Sequence, residues 1–154
     1  MTPITIRQID AASIEVAFNL LLQFFNEEGF DTPAVELRAS LETMITASSS
    51  AVFLACQDSE PVGVATVMTS VGLEYGKSAE IEDLYVLPHA RKQGVAGRLI
   101  EEICAWCQVN GVTTVLVTVT AEGDARYNLL EYYQQRGFTD NKRVILERRL
   151  EVKE

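Results

Sequence analysis

The stretch AEIEDLYVLPHARKQGVAGRLIEEICAWCQVN, residues 79–110, decides the fold of this chain. It predicts a β-strand over residues 80–86, a turn at Leu87 and Pro88, a short polar loop and then an amphipathic helix. The helix is predicted because apolar residues recur every three or four positions along one face. These residues are Val95, Leu99, Ile103 and Trp106. This order places the start of a helix, whose first N–H groups have no partner within the helix, close to the end of a strand.

The loop between strand and helix, residues 91–97 (RKQGVAG), is called the glycine loop below. The helix dipole puts partial positive charge at the helix start, and Arg91 and Lys92 add to it. Gly94 has no Cβ, so a bulky anion can approach the backbone there. The glycine loop therefore predicts a phosphate site. The alternative is that Gly94 and Gly97 only mark the start of the helix.

Three segments resemble signatures of the GCN5-related N-acetyltransferase family. Residues 91–96 (RKQGVA) fit its Arg/Gln-x-x-Gly-x-Gly/Ala motif, and residues 84–88 (LYVLP) fit the strand before that motif. Residues 133–138 (YQQRGF) fit its second signature, a Tyr four residues before Gly-Phe. The glycine motif alone is a weak signal, but with both flanks in register the resemblance covers nearly the whole chain.

The resemblance implies acetyl-coenzyme A as the cofactor. Its diphosphate is expected on the backbone N–H groups of the glycine loop, so the expected ligands are Arg91, Lys92, Gln93, Gly94, Val95, Ala96 and Gly97. In the family, the preceding strand pairs with the pantetheine arm and donates an N–H to the acetyl carbonyl. Leu84, Tyr85 and Val86 occupy that strand here, and the donor is expected to be Leu84 or Val86.

A carboxylate is needed to take a proton from an alkylammonium group, whose pKa is near ~10.4. Glu80, Glu82 and Asp83 lie on the strand that enters the glycine loop. Strand alternation puts Glu80 and Glu82 on one face and Asp83 on the other, unless a β-bulge intervenes. Family members carry a Glu-Asp pair at this point, which implies Glu82 as the general base, acting directly or through water. The alternative is that these carboxylates are solvated polar positions of a strand.

Tyr133 is expected to protonate the leaving thiolate, since the family uses the Tyr of its second signature in this way. A phenol of pKa ~10 can donate to such a leaving group; a core aromatic is the alternative. Seven residues earlier, many members carry an Asn that contacts the cofactor. This chain has Arg126 there, which is either a phosphate ligand or a surface charge. His89, in the loop after Pro88, is expected to be exposed and not catalytic.

The acceptor is expected to be a small-molecule amine. The net charge is −9, which suits a cationic substrate, although the alternative is an acidic surface that only keeps the protein soluble. In the family, the first two helices and their loop shape the acceptor pocket. Glu28 and Phe30 lie in the acidic turn there, and Asp83 is a further candidate for substrate contact. Carboxylates at a helix C-terminus interact unfavourably with the helix dipole, which indicates that another interaction or a function offsets this cost.

Composition limits the remaining function classes. With 154 residues the chain is expected to form one domain, residues 1–154, large enough for its own core. The acidic balance argues against nucleic acid, and the missing apolar span argues against a membrane. Three cysteines without a histidine cluster predict neither a disulfide nor a metal site, so Cys104 and Cys107 are expected to be helix residues. The default location is the cytoplasm, and a homodimer is one possible assembly because family members are often dimers.

The predicted fold is α/β, with a mixed sheet of about six or seven strands and four helices on its two faces. Strands are predicted over residues 4–9, 51–57, 62–70, 79–86 and 112–120, with a final hairpin from residues 138–140 and 143–150. Helices are predicted after Asp10, after a cap at Thr32, at the glycine loop, and from Asp124 to Arg136. The strand–helix–strand order around the glycine loop predicts a right-handed crossover and a parallel pair. The resemblance adds that these two strands splay apart and admit acetyl-coenzyme A.

Two other functions stay open beside transfer to a small cationic amine. The chain can be a peptide or protein N-acetyltransferase, or a catalytically silent sensor of acyl-coenzyme A. A nucleotide-binding P-loop is excluded because the Gly-Lys-Ser/Thr element is missing. A dinucleotide-binding fold is excluded by the predicted antiparallel meander before the glycine loop.

Overall fold

Five strands form one sheet in the order β1-β2-β3-β4-β5 in the computed structural model, which describes residues 2–153. The first four strands are antiparallel neighbours, and β5 runs parallel to β4. The strands are β1 (Ile4–Gln8), β2 (Ser50–Gln57), β3 (Glu60–Gly72), β4 (Gly76–Val86) and β5 (Thr114–Val117). The predicted meander and the parallel pair after the crossover helix are therefore confirmed.

Five α-helices accompany the sheet in the described part of the chain. They are α1 (Ile14–Glu28), α2 (Ala34–Thr46), α3 (Val95–Val109), α4 (Ala121–Tyr127) and α5 (Leu129–Gln134). Short 3₁₀ turns precede α1 (Ala11–Ser13) and follow β4 (Pro88–Ala90). None of the helices in residues 2–153 combines the length and the apolar character that a membrane crossing requires.

The two faces of the sheet bury different helices. On one face, Leu20 of α1 and Leu41 of α2 belong to the same apolar cluster as Leu54 and Val64 of the sheet. On the other face, Trp106 of α3 packs edge-to-face on Phe53, with ring centroids 6.4 Å apart. Because successive side chains of a strand point to opposite faces, Phe53 and Leu54 belong to the apolar layers on opposite faces of the sheet. The predicted α/β architecture is confirmed.

The chain divides into two compact units, Met1–Thr118 and Val119–Glu154. The first contains the whole sheet and α1 to α3, and the second contains α4 and α5.

The predicted strand count was too high, because residues 138–153 form neither helix nor strand. The predicted hairpin had one arm of only three residues, and an isolated two-stranded hairpin is marginally stable in water. The fifth strand was also predicted too long. It ends at Val117, and Thr120 instead caps α4 by accepting a hydrogen bond from the Gly123 N–H at 3.0 Å.

The single helix predicted from Asp124 to Arg136 was wrong in two respects. Helix α4 begins at Ala121, and the helical stretch is broken at Asn128, which has the left-handed φ of 54°. Asn tolerates this conformation and often ends helices. A smaller correction applies to α2, where Pro33 and not Thr32 occupies the N-cap position.

Candidate active site

On its β5 side, β4 extends beyond the pairing between the two strands. Within the described residues, β5 pairs only with Ser78–Ile81 of β4, and β4 continues to Val86. We call this region the β4–β5 gap. The Leu87 N–H donates to the Val62 carbonyl of β3 at 2.8 Å. Because backbone groups alternate along a strand, the N–H groups of Leu84 and Val86 point away from β3 and toward the gap.

The glycine loop follows directly and opens a helix without a side-chain cap. Gly94 is the N-cap residue of α3 with a left-handed φ of 86°, and no atom lies within 4 Å of the position that a Cβ would take. The Arg98 N–H makes the first helical hydrogen bond, to the Gly94 carbonyl at 3.1 Å. The N–H groups of residues 95–97 precede that bond, and no backbone acceptor is seen for them within residues 2–153. This is a helix N-terminus with open space beside it, which is the geometry that anions bind.

Gly63 of β3 holds the start of α3 close to the sheet, and the sequence analysis missed it. A Cβ at Gly63 would lie 3.2 Å from the Tyr85 carbonyl oxygen, 3.2 Å from Cγ1 of Val95 and 3.3 Å from Cδ1 of Leu99. Such contacts are tighter than side chains usually allow, so a larger residue would push the helix outward. The only available signal was a glycine within a strand pattern, which often marks a close approach of backbone.

The Arg91 guanidinium faces the protein interior, against a carboxylate from α1. Its Nε donates to the Val86 carbonyl at 2.9 Å, and its Nη2 lies 2.6 Å from Oε2 of Glu27. The same guanidinium lies over the Tyr85 ring, 5.6 Å from the centroid. The sequence did not predict a role for Glu27 itself. It did indicate that carboxylates at the C-terminal end of the first helix oppose the helix dipole and need an offsetting interaction. The ion pair with Arg91 supplies that partner.

Gln93 and Lys92 are both exposed, but the Gln93 side chain is held by hydrogen bonds. The Gln93 amide donates to the His89 carbonyl at 3.1 Å and accepts from Nε2 of Gln57 at 3.0 Å, so it fastens the loop to β2. Lys92 is exposed and has a left-handed φ of 63°. His89 is exposed, as expected.

A β-bulge separates the predicted carboxylates. The register between β3 and β4 shifts so that Thr66 faces Asp83 and Val67 faces Ile81, which leaves Glu82 without a residue opposite it. The bulge is the exception under which simple alternation does not hold. Asp83 is half-buried and accepts a hydrogen bond from the Thr66 hydroxyl at 2.5 Å, whereas Glu82 is exposed. The bulge thus presents the Glu82 carboxylate to solvent at the start of the β4–β5 gap.

The pKa of both carboxyl groups is raised above the ordinary value. For Glu82 the causes are partial removal from water and then the negative charges of Glu80 and Asp83. For Asp83 burial raises the pKa, and the hydrogen bond from Thr66 partly opposes this. Glu80 itself accepts a hydrogen bond from the Thr118 hydroxyl at 2.8 Å. A raised pKa makes a carboxylate a better proton acceptor, which is what a general base needs.

The predicted acceptor-side turn lies beside the end of β4. Phe24 of α1 stacks on Tyr85 of β4, with ring centroids 5.2 Å apart and planes at 29°. Phe30 is half-exposed and packs edge-to-face on Phe25 at 5.1 Å, and its N–H donates to the Phe25 carbonyl. This is the hydrophobic contact that follows a helix ended by glycine. Glu28 is the last residue of α1, so this turn and the end of β4 share one side of the first unit.

Tyr133 lies in the second unit, where it is 9% exposed. Its ring packs edge-to-face on Phe138 at 5.4 Å and on Tyr132 at 5.5 Å. The Tyr133 carbonyl accepts hydrogen bonds from the N–H groups of Arg136 and Phe138. Burial, followed by the proximity of Tyr132, raises the pKa of Tyr133 to about 12. The motif that identified this residue thus forms a tight aromatic turn, in which the phenol stays protonated at neutral pH.

Three further residues were weighed from the sequence. Cys104 and Cys107 lie on α3 as expected, and burial raises the pKa of Cys107 to about 11, which makes its thiol unreactive. Arg126 is exposed on α4 with its guanidinium over the Tyr127 ring, 5.0 Å from the centroid.

Comparison with known proteins gives the family. A sequence profile described as "Acetyltransferase (GNAT) family" matches residues 15–138. The comparison with curated proteins gives no match.

Solved structures agree with the fold. The enzyme AAC(6')-Iy, in complex with the bisubstrate analog CoA-S-monomethyl-acetylneamine, is 24% identical and has a TM-score of 0.83; the match covers 97% of this chain and 99% of that chain. An aminoglycoside acetyltransferase from an uncultured soil metagenomic sample, in complex with trehalose, is 20% identical (TM-score 0.76, 97% of each chain). A predicted acetyltransferase from Clostridium acetobutylicum, solved with acetyl-CoA, is 14% identical (TM-score 0.76, 94% of this chain and 96% of that chain). The family profile covers most of the sequence, and the β4–β5 gap opens onto an uncapped helix start, so this chain belongs to the acetyltransferase (GNAT) family.

Proposed function

We propose that this chain is an acetyl-coenzyme A-dependent N-acetyltransferase that acetylates a primary amine of a small cationic substrate. The observation that carries the proposal is the continuity of the β4–β5 gap with the open start of α3. One edge of β4 directs the N–H groups of Leu84 and Val86 into the gap, and the strand leads within a few residues to the amides of the glycine loop. An elongated cofactor with a diphosphate at one end and a thioester at the other fits this layout.

The residues present fit the diphosphate. The space beside Gly94 is open, and a Cβ there would project into it. The N–H groups of Val95, Ala96 and Gly97 are available at the positive end of a 15-residue helix. Each charge-assisted hydrogen bond of this kind contributes roughly 1.5–3 kcal/mol. Lys92 supplies the side-chain charge in this account, because the Arg91 guanidinium contacts Glu27.

Acetyl-coenzyme A, when bound, supplies a thioester whose carbonyl carbon accepts the amine. Glu82 takes the proton of the substrate ammonium group, directly or through one water, and its raised pKa favours that task. Asp83, fixed by Thr66, keeps negative charge next to Glu82 and toward a cationic acceptor. The N–H of Leu84 or Val86 donates to the carbonyl oxygen as negative charge develops on it.

Tyr133 keeps the role that its motif predicts, donation of a proton to the departing thiolate. The support from its own unit is the protonated state of the phenol at neutral pH, since burial raises its pKa to about 12. The same shift makes the phenol a weaker acid, so the transfer depends on a thiolate whose basicity is also raised by removal from water.

A small cationic acceptor is supported by charge and by the turn at the end of α1. The chain has a net charge of −9, and Glu82 and Asp83 stand beside the β4–β5 gap. Glu28 and Phe30 follow in the turn next to Tyr85, and the pair offers a carboxylate and a half-exposed aromatic ring to an amine. The similar protein AAC(6')-Iy and the similar soil metagenomic protein are both described as aminoglycoside acetyltransferases, which supports the same class.

The test is an acetylation assay that detects free thiol, run on a panel of amines with acetyl-coenzyme A. The panel contains aminoglycosides, polyamines, peptides with free N-termini, and neutral amines of matched size. We expect turnover with the polycationic members, and we expect acetyl-coenzyme A alone to raise the melting temperature. Turnover with peptides only would support a peptide or protein N-acetyltransferase instead. A rise in melting temperature without turnover on any amine would support a silent acyl-coenzyme A sensor.

A further inference from the structure

Glu27 has no part in the proposed chemistry, yet it forms a shielded ion pair at the edge of the candidate site. Its side chain is 27% exposed and that of its partner Arg91 is 34% exposed. By contrast, Glu15, which pairs with Arg38 at the start of the same helix, is 64% exposed. A pair shielded from water holds both groups in place, because breaking it leaves a charge without a partner. The Glu27 carboxylate therefore determines where the Arg91 guanidinium lies.

The guanidinium anchors the last peptide group of β4. Its Nε donates to the Val86 carbonyl at 2.9 Å, and the N–H of the same peptide group, that of Leu87, donates to the Val62 carbonyl at 2.8 Å. A planar peptide group held at both its C=O and its N–H has little freedom to rotate. The Val86 N–H belongs to the peptide group just before it. The direction of that N–H into the β4–β5 gap therefore depends on the anchor.

Tyr85 strengthens the same connection between α1 and β4. Its ring stacks on Phe24 of α1, with centroids 5.2 Å apart, and the Arg91 guanidinium lies 5.6 Å from its centroid. Tyr85 is buried, so its ring has little room to shift when a neighbour is lost. The end of α1 thus holds the end of β4 twice, through an aromatic stack and through the ion pair.

The diphosphate site competes for the guanidinium. Arg91 stands three residues before Gly94, on the loop that is proposed to bind the diphosphate. A guanidinium binds phosphate oxygens through paired hydrogen bonds, which are stronger than a bond to a neutral carbonyl. Glu27 opposes this attraction, because its carboxylate lies 2.6 Å from Nη2 on the strand side. A neutral residue at position 27 would shift the balance toward the diphosphate.

We propose that Glu27 is a positioning residue, which keeps the Arg91 guanidinium on the end of β4 and so directs the Val86 N–H toward the acetyl carbonyl. The assignment rests on the proposed function, because Val86 is one of the two proposed donors to that carbonyl. It has a distinctive consequence. Loss of the Glu27 charge slows acetyl transfer but strengthens binding of coenzyme A, since the released guanidinium becomes a ligand of the diphosphate.

The test compares Glu27→Gln with Glu15→Gln, which removes the ion pair with Arg38 from the same helix. Glu27→Gln should lower kcat about 10- to 100-fold, the cost of a small misplacement of a reacting group. In calorimetric titrations it should lower the Kd for coenzyme A about tenfold, the value of one charge-assisted hydrogen bond. The Glu15 variant should change neither constant. Unchanged constants for Glu27→Gln, or weaker coenzyme A binding together with a lower melting temperature, would overturn the proposal.

A double variant shows whether Arg91 mediates the effect. In an Arg91→Gln background, Glu27→Gln should leave the Kd for coenzyme A unchanged, because no guanidinium is released. A gain in affinity that persists in this background would overturn the proposal.

Amide hydrogen exchange of the free chain separates this proposal from the proposed function. The Leu87 amide should exchange faster in Glu27→Gln than in the wild type and in Glu15→Gln, because its peptide group has lost its anchor. Equal exchange in all three would overturn the role of Glu27, even if the wild type acetylates amines. If the wild type neither binds coenzyme A nor acetylates any amine, the proposed function fails. The exchange rates alone then decide whether Glu27 anchors β4.

Discussion

Replacement of Gly94 by alanine separates cofactor binding from folding. Gly94 has a φ of 86°, and no atom lies within 4 Å of the position that an added Cβ would take. The folding cost is therefore the conformational one alone, about 1–2 kcal/mol for an L-residue in the left-handed region. For a chain of this size it lowers the melting temperature by about 2–8 °C. The Cβ also occupies the open space in which the diphosphate is proposed to lie.

The matched control is Gly76→Ala. Gly76 is the first residue of β4 with a φ of 69°, and its Cβ position is equally open. Both variants should lose similar folding stability. Only Gly94→Ala should lose affinity for coenzyme A, because the loss of one charge-assisted hydrogen bond of ~1.5–3 kcal/mol corresponds to about a 10- to 150-fold rise in Kd.

The measurements are thermal melts of both variants and calorimetric titrations with coenzyme A and with pantetheine, which lacks the diphosphate. Gly94→Ala should weaken coenzyme A binding and leave the much weaker pantetheine binding unchanged. Equal affinity of the two alanine variants for coenzyme A would refute the diphosphate cradle. An equal loss for pantetheine would show that the substitution distorts the β4–β5 gap and not the cradle.

Three further predictions concern the chemical groups. Glu82→Gln should lower kcat about 10²–10⁴-fold, which is the range of general base catalysis. Glu80→Gln should move the acidic limb of the pH profile of kcat/KM to lower pH than in the wild type, because Glu80 helps raise the Glu82 pKa. If the limb does not move, Glu82 is not the titrating base. Tyr133→Phe should lower kcat by a similar factor while Tyr132→Phe does not, and full activity of the Tyr133 variant between pH 7 and 9 would remove its acid role. Folding raises the pKa of Asp83, so its carboxyl group stabilises the folded state at low pH, and this contribution is lost as the pH rises through the folded-state pKa. The Asp83→Asn variant should therefore have a larger free energy of unfolding than the wild type in urea at pH 7, and no larger at pH 3.

Local sequence patterns predicted the parts of the site that local chemistry determines. The apolar periodicity of α3 and the glycines before it predicted a helix that begins within residues 94–97, and the helix begins at Val95. The parallel pairing of β4 with β5 follows from a crossover rule that needs no knowledge of distant contacts, whereas the divergence of the two strands was implied only by the family resemblance. The second family signature identified Tyr133 as a candidate, but its ring contact with Phe138 is seen only in the structure.

Contacts between distant residues could not be predicted in the same way. Glu27 and Arg91 are 64 positions apart, and nothing in either local pattern indicates the other. Gly63 is explained only when α3 is seen resting on it. The helical break at Asn128 was missed because residues 124–136 fit a helical pattern, and a single left-handed residue within such a pattern leaves the periodicity almost unchanged.

The Arg91–Glu27 ion pair changes how anion binding at the glycine loop should be understood. The sequence suggested that Arg91 and Lys92 both add charge for a phosphate. In the structure Arg91 instead joins the end of α1 to the Val86 carbonyl, and both charged side chains of the pair are only about one-third exposed. If Arg91 turned toward an anion, it would leave Glu27 partly buried and unpaired, which opposes the movement. We therefore propose that backbone amides are the main donors to the diphosphate. The ion pair meanwhile joins the end of α1 to the end of β4, so a substitution of Glu27 is expected to affect binding of both the proposed amine substrate and the proposed cofactor.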